Sequence, residues 1–585
     1  MKIFFFTIFA VVCFSSLAQI TPFEKSAGKA SATYFEVIDW YRQLDKKFAS
    51  IQMKEMGATD AAYPLHLVML SSNADFNPAN WRAKNKTIIL VNNGIHPGEP
   101  DGIDASMMLV RDLATNKIKL PENVVLAFIP VYNIGGCLNR NAYTRANQNG
   151  PLEYGFRGNS QNLDLNRDFT KNDSREAKSF AQIFHYLKPD IFIDNHVSDG
   201  ADYQHTMTLI TTQYEKLGGE LGEWLKSTFE PAIYKTMAAK GWDLIPYVDF
   251  ESSDFDKGIK MFYDTPRYSS GYTALFQTLS FVPETHMLKP YKERVRSTYD
   301  LMVSFIELGS KYNVDIKTQR KKAMAAVMQQ YSFPLSWQLD TTASTQIVFK
   351  GYESAFSESN ATGLQKMYFD HNKPFTRNIK YYNSFKGVNS VTMPWAYIIP
   401  HGWYPVVDLL KLNGVVVDEL KRDTLIRVNS YRITEYKSSA RPYEKHHRNT
   451  GVKYETIQDH VKFLKGDFLI FMNQPSNRYI VEMLEPDGDD SFFSWNFFDA
   501  ILQQKEGYSD YRWEDIAADI LKTDKTLFVK LEEKKASDSN FAKNSHAILD
   551  FIYKNSAYAE KAFMRYPVYR QEVIALKQNK VTRAQ

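Results

Sequence analysis

Four short apolar runs punctuate the first half of the chain: Ile88–Val91, Val124–Val131, Ile191–Ile193 and Leu279–Val282. They are continuous rather than alternating, as expected of strands covered on both faces. Between them apolar residues recur at helical spacing, as at Ile103, Met107, Val110 and Ala114, and later at Val295, Tyr299, Met302 and Ile306. This alternation, from about residue 64 to 310, predicts an α/β fold: a mixed, mostly parallel sheet flanked by helices. Residues 19–55 read as a polar, helical lead-in, so the first domain is expected over 19–322. The charge run from Lys317 to Lys322 reads as a solvated linker helix at its boundary. Beyond it strand-like stretches (Gln346–Lys350, Arg377–Tyr382, Thr424–Val428) lie among Gly, Asn and Pro turns, Asn413-Gly414 among them. Residues 459–498 add further strand, and about 510–578 is helical and charged. The expectation for 335–585 is an appended α+β region.

Three of the strand-like runs end in residues that carry chemistry. Ile88–Val91 leads into Gly94-Ile95-His96-Pro97-Gly98-Glu99-Pro100-Asp101-Gly102. This places His96 and Glu99 on the loop at a strand's carboxyl end, where open α/β sheets build their sites. Imidazole nitrogen and carboxylate oxygen are ligand types of a catalytic zinc, which takes a third protein ligand and leaves one position open. Of the 12 histidines only His96 has Glu three places on, so composition alone does not scatter the motif. The run ending Asp194-Asn195-His196 offers the third ligand. Leu279–Val282 ends at Glu284, a carboxylate placed to serve as general base and then general acid. A fourth fragment, Asn162–Phe169, alternates Leu163 and Leu165 with polar residues. Arg167 there offers a planar fork suited to a carboxylate, and Asn166 an amide donor. Asp164 can accept the free ring N–H of a metal-bound histidine.

Together these fragments resemble the zinc carboxypeptidases of the carboxypeptidase A type, from about residue 30 to 320. The carrying elements are GIHPGEPDG at 94–102, DLNRDF at 164–169, IDNH at 193–196 and PETHMLK at 283–289, in the family's order. The resemblance implies one zinc per chain on His96, Glu99 and His196, Asn166 and Arg167 as a clamp for a substrate's C-terminal carboxylate, and Glu284 as the base. It also implies Arg145, in Tyr143-Thr144-Arg145-Ala146-Asn147, as the carbonyl-polarising arginine, and Asp164 behind the first zinc histidine. Tyr272 is a candidate for the substrate-capping tyrosine, as is Tyr263. The chain departs from the family where Asn133-Ile134-Gly135-Gly136 stands for the usual NPDG, and where Pro97 and Gly98 replace an arginine within the HxxE motif. Tails with a fragment resembling Leu484-Glu485-Pro486 … Trp495-Asn496-Phe497-Phe498 occur in bacterial relatives, which implies an exported bacterial member with a C-terminal extension.

Bulk properties narrow the partners. The 585 residues call for two or three domains, and 44% hydrophobic with 24% charged residues is a globular composition. A net charge of +4 on 71 basic and 67 acidic side chains is too balanced to suggest nucleic acid. Lys2, the apolar stretch Ile3–Val12 and Ser16-Leu17-Ala18 read as a signal peptide over 1–18, hence an exported chain, periplasmic or secreted. No later stretch reaches about 18 uninterrupted apolar residues, so no transmembrane segment is expected. After cleavage only Cys137 remains, and no internal disulfide is possible. The function expected is a zinc metallocarboxypeptidase acting on peptides. Deacylation of small acyl-amino acids on the same scaffold is an alternative that a size-limited pocket would mark. A non-catalytic binding module is another, which the loss of a ligand or of the base would mark.

Overall fold

The computed structural model describes residues 20–248 and 255–572; the signal peptide read over 1–18 lies outside them. The first helix of length, Tyr34–Lys47, starts at Thr33, whose side chain accepts from Glu36 N while Glu36 reaches back to Thr33 N. Its inner stripe, Tyr34, Val37, Ile38, Tyr41 and Leu44, is buried against the sheet.

Among the described residues ten strands precede residue 290: β1 Ile51–Glu55, β2 His66–Leu70, β3 Thr87–Asn92, β4 Val124–Ile129, β5 Ile191–Asp194, β6 His196–Ser198, β7 Met207–Thr211, β8 Ile245–Pro246, β9 Ile259–Lys260 and β10 Leu279–His286. All but β9 join one sheet in the order β1-β2-β4-β3-β5-β10-β7-β8, with β6 also paired to β10. The central β4-β3-β5-β10 pairings are parallel, as is β7-β8, whereas β1-β2, β2-β4 and β10-β7 are antiparallel. The expected mixed, mostly parallel sheet is therefore present.

Alternate side chains of the central strands feed two cores. Ile89, Val91, Val124, Leu126 and Phe128 pack toward the helices Asp101–Ala114 and Tyr291–Lys311. Ile88, Leu90, Val125, Ala127 and Ile129 pack toward the helix Arg175–Leu187, through Phe180, Ile183 and Phe184. Both faces are covered, which is why these strands read as unbroken apolar runs.

The helix Asn313–Gln329 differs from the solvated linker expected of its charges. Lys317 and Arg320 turn inward to Asp190, at the start of β5, while Lys321 and Lys322 stay exposed. The buried carboxylate draws two of the four cations out of water. After it, the hairpin Thr345–Glu358/Gln365–Tyr382 extends β9. A six-stranded sheet then takes the order 418–419, 468–471, 396–399, 569–571, 424–438, 449–463. Part of the strand expected over 459–498 is instead the buried helix Asn477–Leu484. Helices Asp510–Thr523, Lys525–Ser537 and Ser545–Lys554 form a separate small core around Trp513.

Candidate active site

The carboxyl ends of β3, β5 and β10 open onto one cavity of about 540 Å³. Sheet register sets its floor: Glu284 on β10 pairs with His196 on β6, so base candidate and ligand candidate are neighbours across one ladder. His96 and Glu99 reach the same place from the loop after β3. Gly94 begins that loop at φ +65°, which its lack of a Cβ permits. His96, Glu99, His196, Glu284, Arg145, Asn166 and Arg167 all line the cavity.

The His96, Glu99 and His196 ligand atoms lie within 4.8 Å of one another. Glu99 sits between the rings, Oε1 3.3 Å from His96 Nδ1 and Oε2 3.1 Å from His196 Nδ1. The opposite nitrogens are engaged elsewhere: His96 Nε2 with Asp164 Oδ1 at 2.8 Å, His196 Nε2 with Asp194 Oδ2 at 3.2 Å. A carboxylate on the far nitrogen suits each ring to present Nδ1 to a metal ion. His96 Nδ1 is buried and makes no hydrogen bond. An orphaned imidazole nitrogen beside a carboxylate and a second imidazole fits a metal ligand, and the set can hold a metal ion. Asp194 was not foreseen, although two-residue alternation along a strand places it on the same side as His196.

The site is strongly polarised. Burial would raise the Glu99 carboxyl, but Arg145 and the two imidazoles hold it well below the usual carboxylate range. His196 is opposed by burial yet driven well above the usual histidine range by Asp194 and Glu99. Asp164 is likewise held low by His96, Arg157 and Arg167 against its burial. Glu284 goes the other way. Its burial in the cavity wall outweighs the attraction of His196 and pushes the carboxyl up to about 8.

Two arginines line the cavity beside the cluster, Arg145 and Arg157. Arg145 crosses over Gly98, where a Cβ would come within 2.6 Å of its Cδ. It donates to Glu99 Oε1 at 2.8 Å and to Gln148 Oε1 at 2.6 Å, so its guanidinium is committed. Arg157, which no sequence motif marks, is about half exposed in the same cavity. Its Nε donates to Asp164 Oδ2 at 2.9 Å, and its charge bears on Glu284. The signal available was its place ten residues before Arg167, at the head of the same loop.

Tyr272 is a correction. It is fully buried among Phe169, Phe184 and Tyr479, with its hydroxyl donating to Asn413 and 3.1 Å from His185 Nε2. Its helix, Ser269–Ala274, turns it into the core, and it does not line the cavity. Tyr263 does not line it either; its hydroxyl is tied to Asp489. The aromatic residues that do line it are Tyr247, Phe262 and Tyr268, and the Tyr268 ring lies 4.5 Å beneath the Arg167 guanidinium.

Residues 37–197 match the model of the zinc carboxypeptidase family. By this likeness the chain is an enzyme, a peptide hydrolase. It is similar to a fungal protein named carboxypeptidase 2 from Trichophyton rubrum, 22% identical over 452 residues, covering 74% of this chain and 77% of that one. The Trichophyton tonsurans protein of the same name is 22% identical over 71% and 74% of the two chains. Among solved structures, a metallo-carboxypeptidase from Burkholderia cenocepacia aligns with a TM-score of 0.37 and 15% identity, over 48% of this chain and 70% of that one. Among the described residues no helix is long and apolar enough to cross a membrane.

Proposed function

We propose that this protein is a zinc-dependent metallocarboxypeptidase that hydrolyses the C-terminal peptide bond of peptides, with one zinc held by His96, Glu99 and His196. The observation that carries the reading is the meeting, in one cavity, of the His–Glu–His cluster, a carboxylate with a raised pKa and an asparagine–arginine pair. Residues 1–18 fit this role as an export signal.

A zinc ion bound there supplies Lewis acidity at a carbonyl oxygen and makes water a stronger acid. The chain's own groups do the rest. Asn166 and Arg167 hold the substrate's terminal carboxylate and so set which bond reaches the cluster. Glu284 ionises more readily beside positive charge; it takes a proton from water in the cavity and passes it to the leaving nitrogen. Arg157, less committed than Arg145, faces the oxygen on which negative charge develops. Arg145 keeps Glu99 ionised and oriented as a ligand.

The test is a pair of peptides identical except for a free or amidated C-terminus, digested with and without a chelator. The free acid should lose its last residue, the amide should persist, and chelation should stop the reaction until zinc is restored. Equal cleavage of both peptides would refute the carboxylate clamp. Full activity after verified metal removal would refute the zinc.

A further inference from the structure

We infer that Tyr443, on the loop of the C-terminal hairpin Thr424–Ser438/Asn449–Phe463, is a positioning residue for Arg167, so that the C-terminal region completes the carboxylate-binding site. This rests on the proposed role of Arg167.

The Arg167 guanidinium is gripped on three sides. Its Nε donates to the Tyr443 hydroxyl at 2.9 Å, one terminal nitrogen donates to the carbonyl of Asn166 at 2.8 Å, and its face lies on Tyr268. Arginine has five N–H donors in a rigid plane. With Nε–H occupied by Tyr443, the plane is fixed and the remaining terminal donors stay available to a carboxylate. A guanidinium fixed beforehand loses less rotamer freedom on binding.

The loop is built to stay in place. Glu444 Oε2 accepts the backbone N–H of Asp164 at 2.8 Å, and His446 Nε2 lies 2.7 Å from Asp173 Oδ2. The same loop thus holds both the clamp arginine and the backbone of the acid behind His96. Within the C-terminal region Tyr443 stacks on buried Trp495, and the carbonyl of His447 accepts from Asn496 at 2.6 Å. Glu444 and Lys445 both adopt positive φ, +48° and +75°, a conformation that costs non-glycine residues energy and persists only where surrounding contacts impose it. The anchor of Tyr268 is shared as well: its neighbour Arg267 pairs with Asp490, at 2.8 Å.

The experiment is Tyr443→Phe in the full chain, with Arg167→Gln beside it. Substrate binding is read as KM for a free-acid peptide, and carboxylate binding alone as the inhibition constant of 3-phenylpropanoate. Tyr443→Phe should raise both by about tenfold, the scale of one lost hydrogen bond to a charged group. Its kcat, zinc content and Tm should stay near the parent's, which a purely structural role would not leave intact. Arg167→Gln should raise both constants further. If Arg167→Gln weakens binding but Tyr443→Phe leaves both constants unchanged, the positioning role is overturned and the clamp stands. If Arg167→Gln binds 3-phenylpropanoate as the parent does, the clamp itself falls.

Discussion

Asp164 stands directly behind His96, Oδ1 to Nε2 at 2.8 Å. The carboxylate selects the tautomer that leaves Nδ1 to bind. Asp164→Asn keeps the shape and removes the charge. Zinc affinity should fall about 10–100-fold, measured by competition with a chromophoric chelator. Unchanged affinity would mean that His96 needs no carboxylate behind it.

Glu284 pairs with His196 in sheet register but is not among the clustered ligands. Glu284→Gln should lower kcat at least about 100-fold while zinc content by elemental analysis stays at that of the parent. Loss of zinc in proportion to activity would make Glu284 a ligand instead.

Arg167 offers a planar fork, which lysine cannot copy. Arg167→Lys should therefore cost about tenfold or more in kcat/KM for free-acid peptides despite keeping the charge. Parent-like kinetics would show that a point charge suffices.

Glu176 is fully buried at the start of the helix Arg175–Leu187. Burial, reinforced by the charge of Asp60, pushes it up to about 7. The unfolded chain releases this proton near 4.5, so between those values the folded state binds more protons and stability falls as pH rises. Glu176→Gln should match the parent at pH 4 and exceed it by about 1–3 kcal/mol at pH 8, by urea unfolding. A gap independent of pH would contradict this.

Cys137 is buried, and burial pushes its thiol up to about 12. With almost no thiolate at neutral pH, it should resist thiol reagents in the folded protein and react on addition of denaturant. Rapid labelling under native conditions would show that the wall around it opens.

The sequence carried the central sheet because its signal is local. Ile88–Val91, Val124–Ile129 and Ile191–Ile193 declare themselves as doubly covered strands within a few residues. The same runs led to His96, His196 and Glu284, since strand ends point to one edge. Other features depend on partners far along the chain. Lys317 and Arg320 look solvated until Asp190, over a hundred residues earlier, is seen to face them. Tyr443 reaches Arg167 across 276 positions, and no spacing rule links a hairpin turn to a distant loop. Tyr268 caps the helix Ser269–Ala274, and Tyr272 lies four residues on within it. Sequence alone does not say which one faces the cavity.

The strand Tyr569–Gln571 lies between Ala396–Ile399 and the hairpin that bears Tyr443. A ribosome delivers the histidines and Glu99 early, but the piece that seats this hairpin emerges more than 360 positions later. The contact between Tyr443 and Arg167 is thus among the last a nascent chain can complete.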